Sequence, residues 1–107
     1  MIYSMDPAVL RRRLDEGATR PLLLDVREEW EFRQCHIEGS VHIPLAQMPL
    51  RLAELDPARE TVLICHHGVR SRRGALYLES LGFHHLVNLD GGIDAWARIV
   101  DPAMPRY

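Results

Sequence analysis

Lysine is missing from this 107-residue sequence: all 13 basic side chains are arginine. That excludes a lysine Schiff base, a lysine general base and the phosphate-gripping lysine of a P-loop. Cysteine is scarce, with two residues, too few for a disulfide scaffold. No apolar run exceeds about four residues, against the roughly 20 that a membrane-spanning helix needs. Charge of one sign is not in excess either. The 13 basic residues face 15 acidic ones, giving a net charge of −2 and a pI near 6.3. This balance argues against nucleic acid or an anionic membrane as partner. The opening Met1-Ile2-Tyr3-Ser4-Met5-Asp6 has neither the basic nor the apolar region of a secretory signal. These absences predict a soluble, reduced, cytoplasmic protein.

What is present suits one compact core. Hydrophobic residues make up 47% of the chain, and the length predicts a single domain over residues 1–107. Asp6-Pro7 is a helix start, with a capping carboxylate followed by proline at the first helical position. Val9, Leu10 and Leu14 recur at helical spacing before Gly17. Leu22 to Val26 is an apolar run suited to a strand buried on both faces. Glu28 to Gln34 predicts a short helix, with Trp30 and Phe32 packed in or beside the core. Val41 to Ile43 predicts a strand, and Leu45 to Leu55 a helix whose start Pro49 limits. Thr61 to Ile64 and Leu86 to Leu89 are two further strands. Helices are expected from near Ser71 to Gly82 and from Ile93 to Val100, the latter burying Trp96. Pro102 and Pro105 make residues 101–107 a tail. Strands alternating with helical stretches predict an α/β fold: a mainly parallel sheet of four to five short strands with helices on both faces. Ligand sites in such sheets lie at the carboxyl ends of strands, where Asp25 and Cys65 stand.

The segment Cys65-His66-His67-Gly68-Val69-Arg70-Ser71 carries the chemistry. A strand ends at Cys65 and a helix begins near Ser71, its expected cap. A glycine-containing loop curled around the thiol would aim backbone N–H groups at the sulfur. The helix N-terminus and Arg70 would add positive potential. All of these favour thiolate over thiol and describe a nucleophilic cysteine in an anion nest. The opposing reading is a buried, inert cysteine ending a core strand. Arg70 has two readings as well: its planar fork suits an oxyanion donor, or it pairs with a carboxylate in the stretch from Asp25 to Glu31.

Four motifs in order give the chain a family resemblance. They are Leu24-Asp25-Val26-Arg27-Glu28, His36-Ile37-Glu38-Gly39-Ser40-Val41-His42-Ile43-Pro44, Cys65-His66-His67-Gly68-Val69-Arg70-Ser71 and Leu89-Asp90-Gly91-Gly92-Ile93-Asp94-Ala95-Trp96. Over about Ser4 to Ile99 the chain resembles the single-domain rhodanese-like sulfurtransferases. The resemblance implies a Cys65 that takes a sulfane sulfur from a donor such as thiosulfate. It then yields the sulfur, through a persulfide, to cyanide or a cellular thiol, including a thiol on a partner protein. It implies no cofactor, and the spacing of Cys35, His36, Cys65, His66 and His67 fits no standard zinc pattern, so no metal is expected. The six residues from Cys65 to Arg70 form a loop one residue shorter than in related phosphatase domains, which favours sulfur over phosphate. A persulfide carrier in a sulfur relay is the alternative, followed by a cysteine-dependent phosphatase or arsenate reductase. His66 stands where many members carry arginine. Cys35 replaces the usual glycine, and is either a resolving thiol or a tolerated substitution. Asp25 and Arg27 either position the loop or form a structural ion pair. Gly91-Gly92 is expected to make a tight turn. Arg11-Arg12-Arg13 and Arg72-Arg73 are expected to be solvated helix faces.

Overall fold

The structure is a computed structural model, and it describes residues 1–17 and 19–107. Strands β1 (Ile2–Met5), β2 (Leu22–Asp25), β3 (Val41–His42), β4 (Thr61–Ile64) and β5 (Leu86–Leu89) form one sheet in the order β1-β5-β4-β2-β3. Every neighbouring pair is parallel. The helices are α1 (Pro7–Glu16), α2 (Glu29–Gln34), α3 (Val69–Ser80) and α4 (Gly92–Ile99).

The apolar runs build this sheet because alternate residues face opposite sides. Leu24, Leu63 and Leu86 join one cluster with Ala75 and Leu78 of α3. Leu23, Val62, Ile64, Val87 and Leu89 join a second, with Leu10 of α1 and Ile93 and Trp96 of α4. With both faces covered, β4 and β5 are buried at every position. The Asp6 side chain caps α1 by accepting from the Ala8 N–H at 2.8 Å, and Gly17 closes the helix in the left-handed conformation. Among the described residues no helix is long and apolar enough to cross a membrane.

Four details differ from the sequence reading. Ile2–Met5 adds a fifth, edge strand beside β5. Its residues are half-buried or exposed, so it lacks the dense apolar run of the inner strands. The helix expected over Leu45–Leu55 is two 3₁₀ segments, Leu45–Leu50 and Leu52–Glu54, with Arg51 between them. Pro49 inside the first removes the donor that an α-helix would need there. Trp30 is 58% exposed rather than in the core, because its place on the short α2 turns it outward. Residues 101–107 fold back, and the ring of Tyr107 stacks on that of His66 at 4.1 Å.

Leu63 is fully buried and Leu50 is 89% exposed. Leu63→Ala should therefore cost about 2–5 kcal/mol of unfolding free energy. Leu50→Ala should cost under about 0.5 kcal/mol. Urea denaturation of the two variants checks the contrast.

Candidate active site

β4 delivers Cys65 to the carboxyl edge of the sheet, and the loop to α3 wraps it. The thiol is buried, with 1% of the residue exposed. Gly68 donates its backbone N–H to Sγ at 3.0 Å, and the Ser71 hydroxyl lies 3.3 Å from the same sulfur. Gly68 holds φ at 101°, a left-handed conformation that a side chain would resist. It also precedes the first residue of α3, so the helix starts at Val69 and Gly68 occupies the capping position. Ser71 is thus inside the first turn. Its hydroxyl serves the sulfur rather than capping the helix as expected. Val69 is 68% exposed at the mouth of the site, and His67 is exposed beside it.

The loop is held from behind. Ile93 and Asp94, at the start of α4, donate their N–H groups to the Cys65 and His66 carbonyls at 2.8 and 3.1 Å. These are free first-turn donors, and binding the carbonyls outward leaves loop N–H groups for the inner side. Gly92 makes this approach feasible. A Cβ there would overlap the carbonyl oxygens of Cys65 and His66, and its φ is 62°. The role of Gly91-Gly92 is therefore close contact with the cysteine loop as well as a turn.

Arg70 is paired with a carboxylate of the Asp25-to-Glu31 stretch, Glu31. Nη1 and Nη2 donate to the two oxygens of Glu31 at 2.5 and 2.8 Å. Glu31 is 3% exposed and also accepts from the Tyr107 hydroxyl at 2.8 Å and the Glu28 N–H at 3.0 Å. Hydrogen bonding from Arg70 is the main cause that holds the Glu31 carboxyl down at about 2, against the opposing effect of burial. The same contact raises the Arg70 pKa. Two N–H groups of Arg70 are engaged with Glu31; the guanidinium has three more.

Asp25 and Arg27 form an ion pair in which both side chains are fully buried. Burial opposes the charge on Arg27, but Asp25 outweighs it and the pKa is raised. All five guanidinium N–H groups have acceptors: the Asp25 carboxylate from Nε and Nη2, the Glu31 and Cys35 carbonyls, and the Tyr107 hydroxyl. Neither member touches the cysteine loop; Arg27 meets the Glu31 carbonyl and the Tyr107 hydroxyl. Burial pushes the Tyr107 phenol up to about 12, so it stays a neutral group that accepts from Arg27 and donates to Glu31. Burial, then the neighbouring His67, lowers the His66 pKa. Both effects favour the neutral imidazole. Among the described residues no buried side-chain N or O lacks a partner, and no group of three or more His, Cys, Asp or Glu converges as a metal site. Cys35 is buried as a free thiol.

Sequence reasoning reached Glu31 only as the end of a stretch of candidate carboxylates, and it did not reach Asn88 or Tyr107. Asn88 had a signal: it is the one polar residue in Leu86-Val87-Asn88-Leu89. In the structure it accepts from Ser71 and donates to the Gly68 carbonyl. Tyr107 had none beyond being an aromatic residue after two prolines.

The sequence matches the rhodanese-like domain over residues 6–99. It is 35% identical over 98 residues to a sulfurtransferase of Allochromatium vinosum, covering 92% of this chain and 91% of that one. It is 34% identical over 89 residues to an adenylyltransferase and sulfurtransferase of Ogataea parapolymorpha; the match covers 81% of this chain and 23% of that longer protein. A crystal structure of a rhodanese-like domain protein from Staphylococcus aureus superposes with a TM-score of 0.85 at 28% identity, over 98% of each chain.

The Glu31 carboxyl is held well below its ordinary value, so its contribution to stability is present above about pH 5. It is lost as the pH falls through about 2. Chemical denaturation between these limits should show wild type losing stability, and Glu31→Gln should lose less over the same interval. Gly92→Ala should lower the melting temperature by several degrees, a larger loss than the same substitution at Gly17, where no atom lies within reach of a Cβ. Thermal unfolding of the two variants measures the difference.

Proposed function

The chain belongs to the rhodanese-like domain family, and on that footing we propose that it moves a sulfane sulfur through a persulfide on Cys65. The observation that carries this reading is a buried sulfur at the end of a central strand, met by the Gly68 N–H and the Ser71 hydroxyl inside a six-residue loop. Sulfur transfer in general accords with the sulfurtransferase relatives. The donor, the acceptor and the covalent step are our inference.

In the first step the Cys65 thiolate attacks the outer sulfur of a thiosulfate-like donor. A new S–S bond forms to Sγ, the donor's S–S bond breaks, and sulfite leaves with the bonding pair. Cys65 then carries a terminal persulfide anion. In the second step a thiol or cyanide attacks that outer sulfur and takes it, and the Cys65 thiolate returns. The steps are ping-pong and need little proton transfer, which assigns His66 and His67 no acid–base role. Arg70 does not offer its whole fork to the donor, because two of its N–H groups bind Glu31. It serves as a fixed positive edge, 34% exposed, beside the α3 N-terminus. Protein-borne thiols are acceptors on this reading as well as small ones, and the chain functions in the cytoplasm.

The test is intact mass after incubation with thiosulfate, desalted without reductant. Wild type should gain one sulfur atom that cyanide removes, and Cys65→Ser should gain none. An equal gain in Cys65→Ser refutes the proposal. Hydrolysis of an aryl phosphate that depends on Cys65 would replace it with phosphatase chemistry.

A further inference from the structure

Both groups that reach the Cys65 sulfur are held by a third residue, Asn88. It lies on β5 opposite Leu63 of β4, so it shares the face of the sheet that α3 covers, and it is 7% exposed. Its Nδ2 donates to the Gly68 carbonyl at 3.1 Å, and its Oδ1 accepts from the Ser71 hydroxyl. Gly68 and Ser71 are the same two residues that hydrogen-bond to Sγ.

The amide orientation is fixed by chemistry. The Gly68 carbonyl only accepts, so it must face the NH₂ end, and the oxygen end must face Ser71. Ser71 is fully buried and has one proton for two neighbours. While Cys65 is a thiol, the S–H donates to Ser71 Oγ and the hydroxyl donates to Asn88; both contacts are satisfied. Once Cys65 is a thiolate, Ser71 must turn its proton to the sulfur. Asn88 Oδ1 is then left unpaired in a buried place, which is costly. When a persulfide forms, the charge moves to the outer sulfur and the proton returns to Asn88.

We propose that Asn88 is a positioning residue for Cys65: it competes with the sulfur for the single Ser71 proton and thereby sets how readily the thiolate forms. This inference rests on the proposed role of Cys65 as the reacting group. The other charged group near the sulfur is Arg70 of α3, and His66 and His67 are the titratable residues of the same loop. Glu31 of α2 stands behind Arg70, and Asp94 of α4 lies near His66 and His67. None of them changes in the variants below.

The experiment is the pH profile of Cys65 alkylation by iodoacetamide, read at that residue by peptide mass mapping. Asn88→Ala should move the profile to lower pH by about half a unit to one unit, the effect of one hydrogen bond gained by the thiolate. Ser71→Ala should move it to higher pH by a similar amount. The double variant should match Ser71→Ala alone, because Asn88 acts through Ser71. If Asn88→Ala fails to fold, Asn88→Ser replaces it; its hydroxyl sits one bond nearer the backbone, and the same downward shift is expected. A profile that stays in place or rises, or additive shifts in the double variant, overturns the proposal. A rise would mean that Asn88 merely props up the Gly68 peptide. Alkylation needs no sulfur donor, so the two readings separate. A downward shift in a protein that thiosulfate does not load rules out thiosulfate as the donor and upholds the Asn88 role. Normal loading with an unmoved profile refutes the Asn88 role alone.

Discussion

A guanidinium with no exposure to water organises the carboxyl edge of this sheet. Arg27 leaves β2 and buries its charge against Asp25, and its other donors take carbonyls at Glu31 and Cys35 and the hydroxyl of Tyr107. A buried ion pair contributes little net stability against an apolar replacement, but removing one partner is severe because a bare charge remains. Its effect here is geometric. It fixes where α2 ends, and so where Glu31 stands, and it gives the returning Tyr107 a place to bind. The Arg27 carbonyl also meets Nε2 of His42, which ties the adjacent edge strand into the same arrangement.

From that anchor polar contacts run outward: Asp25 to Arg27, Arg27 through the Tyr107 hydroxyl to the Glu31 carboxylate, and Glu31 to Arg70. Each carboxylate is flanked by guanidinium groups or hydroxyls, so the loop side of the molecule holds several ions without an unpaired polar atom among the described residues. The cysteine loop is gripped at both ends of its peptide groups. Its carbonyls are held by the first turn of α4, and one N–H and one hydroxyl turn toward Sγ. This is preorganisation: donors stand where an anionic sulfur species would need them. Gly68 is required for its left-handed backbone angle, and Gly92 because backbone meets backbone there.

Much of this was legible in the chain because it is written locally. The three inner strands are dense apolar runs, α1 is bounded by Asp6-Pro7 and Gly17, and Cys65 stands between a strand and a glycine loop. What was not legible depends on partners distant in sequence. Ile2–Met5 becomes a strand only because β5 is there to pair with it. The apolar spacing of Leu45–Leu55 is the same for an α-helix and for 3₁₀ turns, and one missing donor at Pro49 decides between them. Arg70 had several carboxylates to choose from, and the choice of Glu31 is made by where α2 ends. Tyr107 reaches the site by a chain reversal that no local pattern encodes, and the use of Asn88 shows only with Ser71 and Gly68 beside it.

The strand order has a consequence for synthesis on the ribosome. β1 is made first, yet its neighbour in the sheet is β5, which also supplies the outer edge of β4. Until residue 89 emerges, β1 has nothing to pair with, and one side of the buried strand β4 is an open edge. The covering helix α4 follows later still. β2, β3 and β4 can pair with one another as they are made, whereas β1 joins the sheet only through β5, a contact of high sequence separation. A ribosome stalled before β5 would hold β1 unpaired and β4 with one open edge.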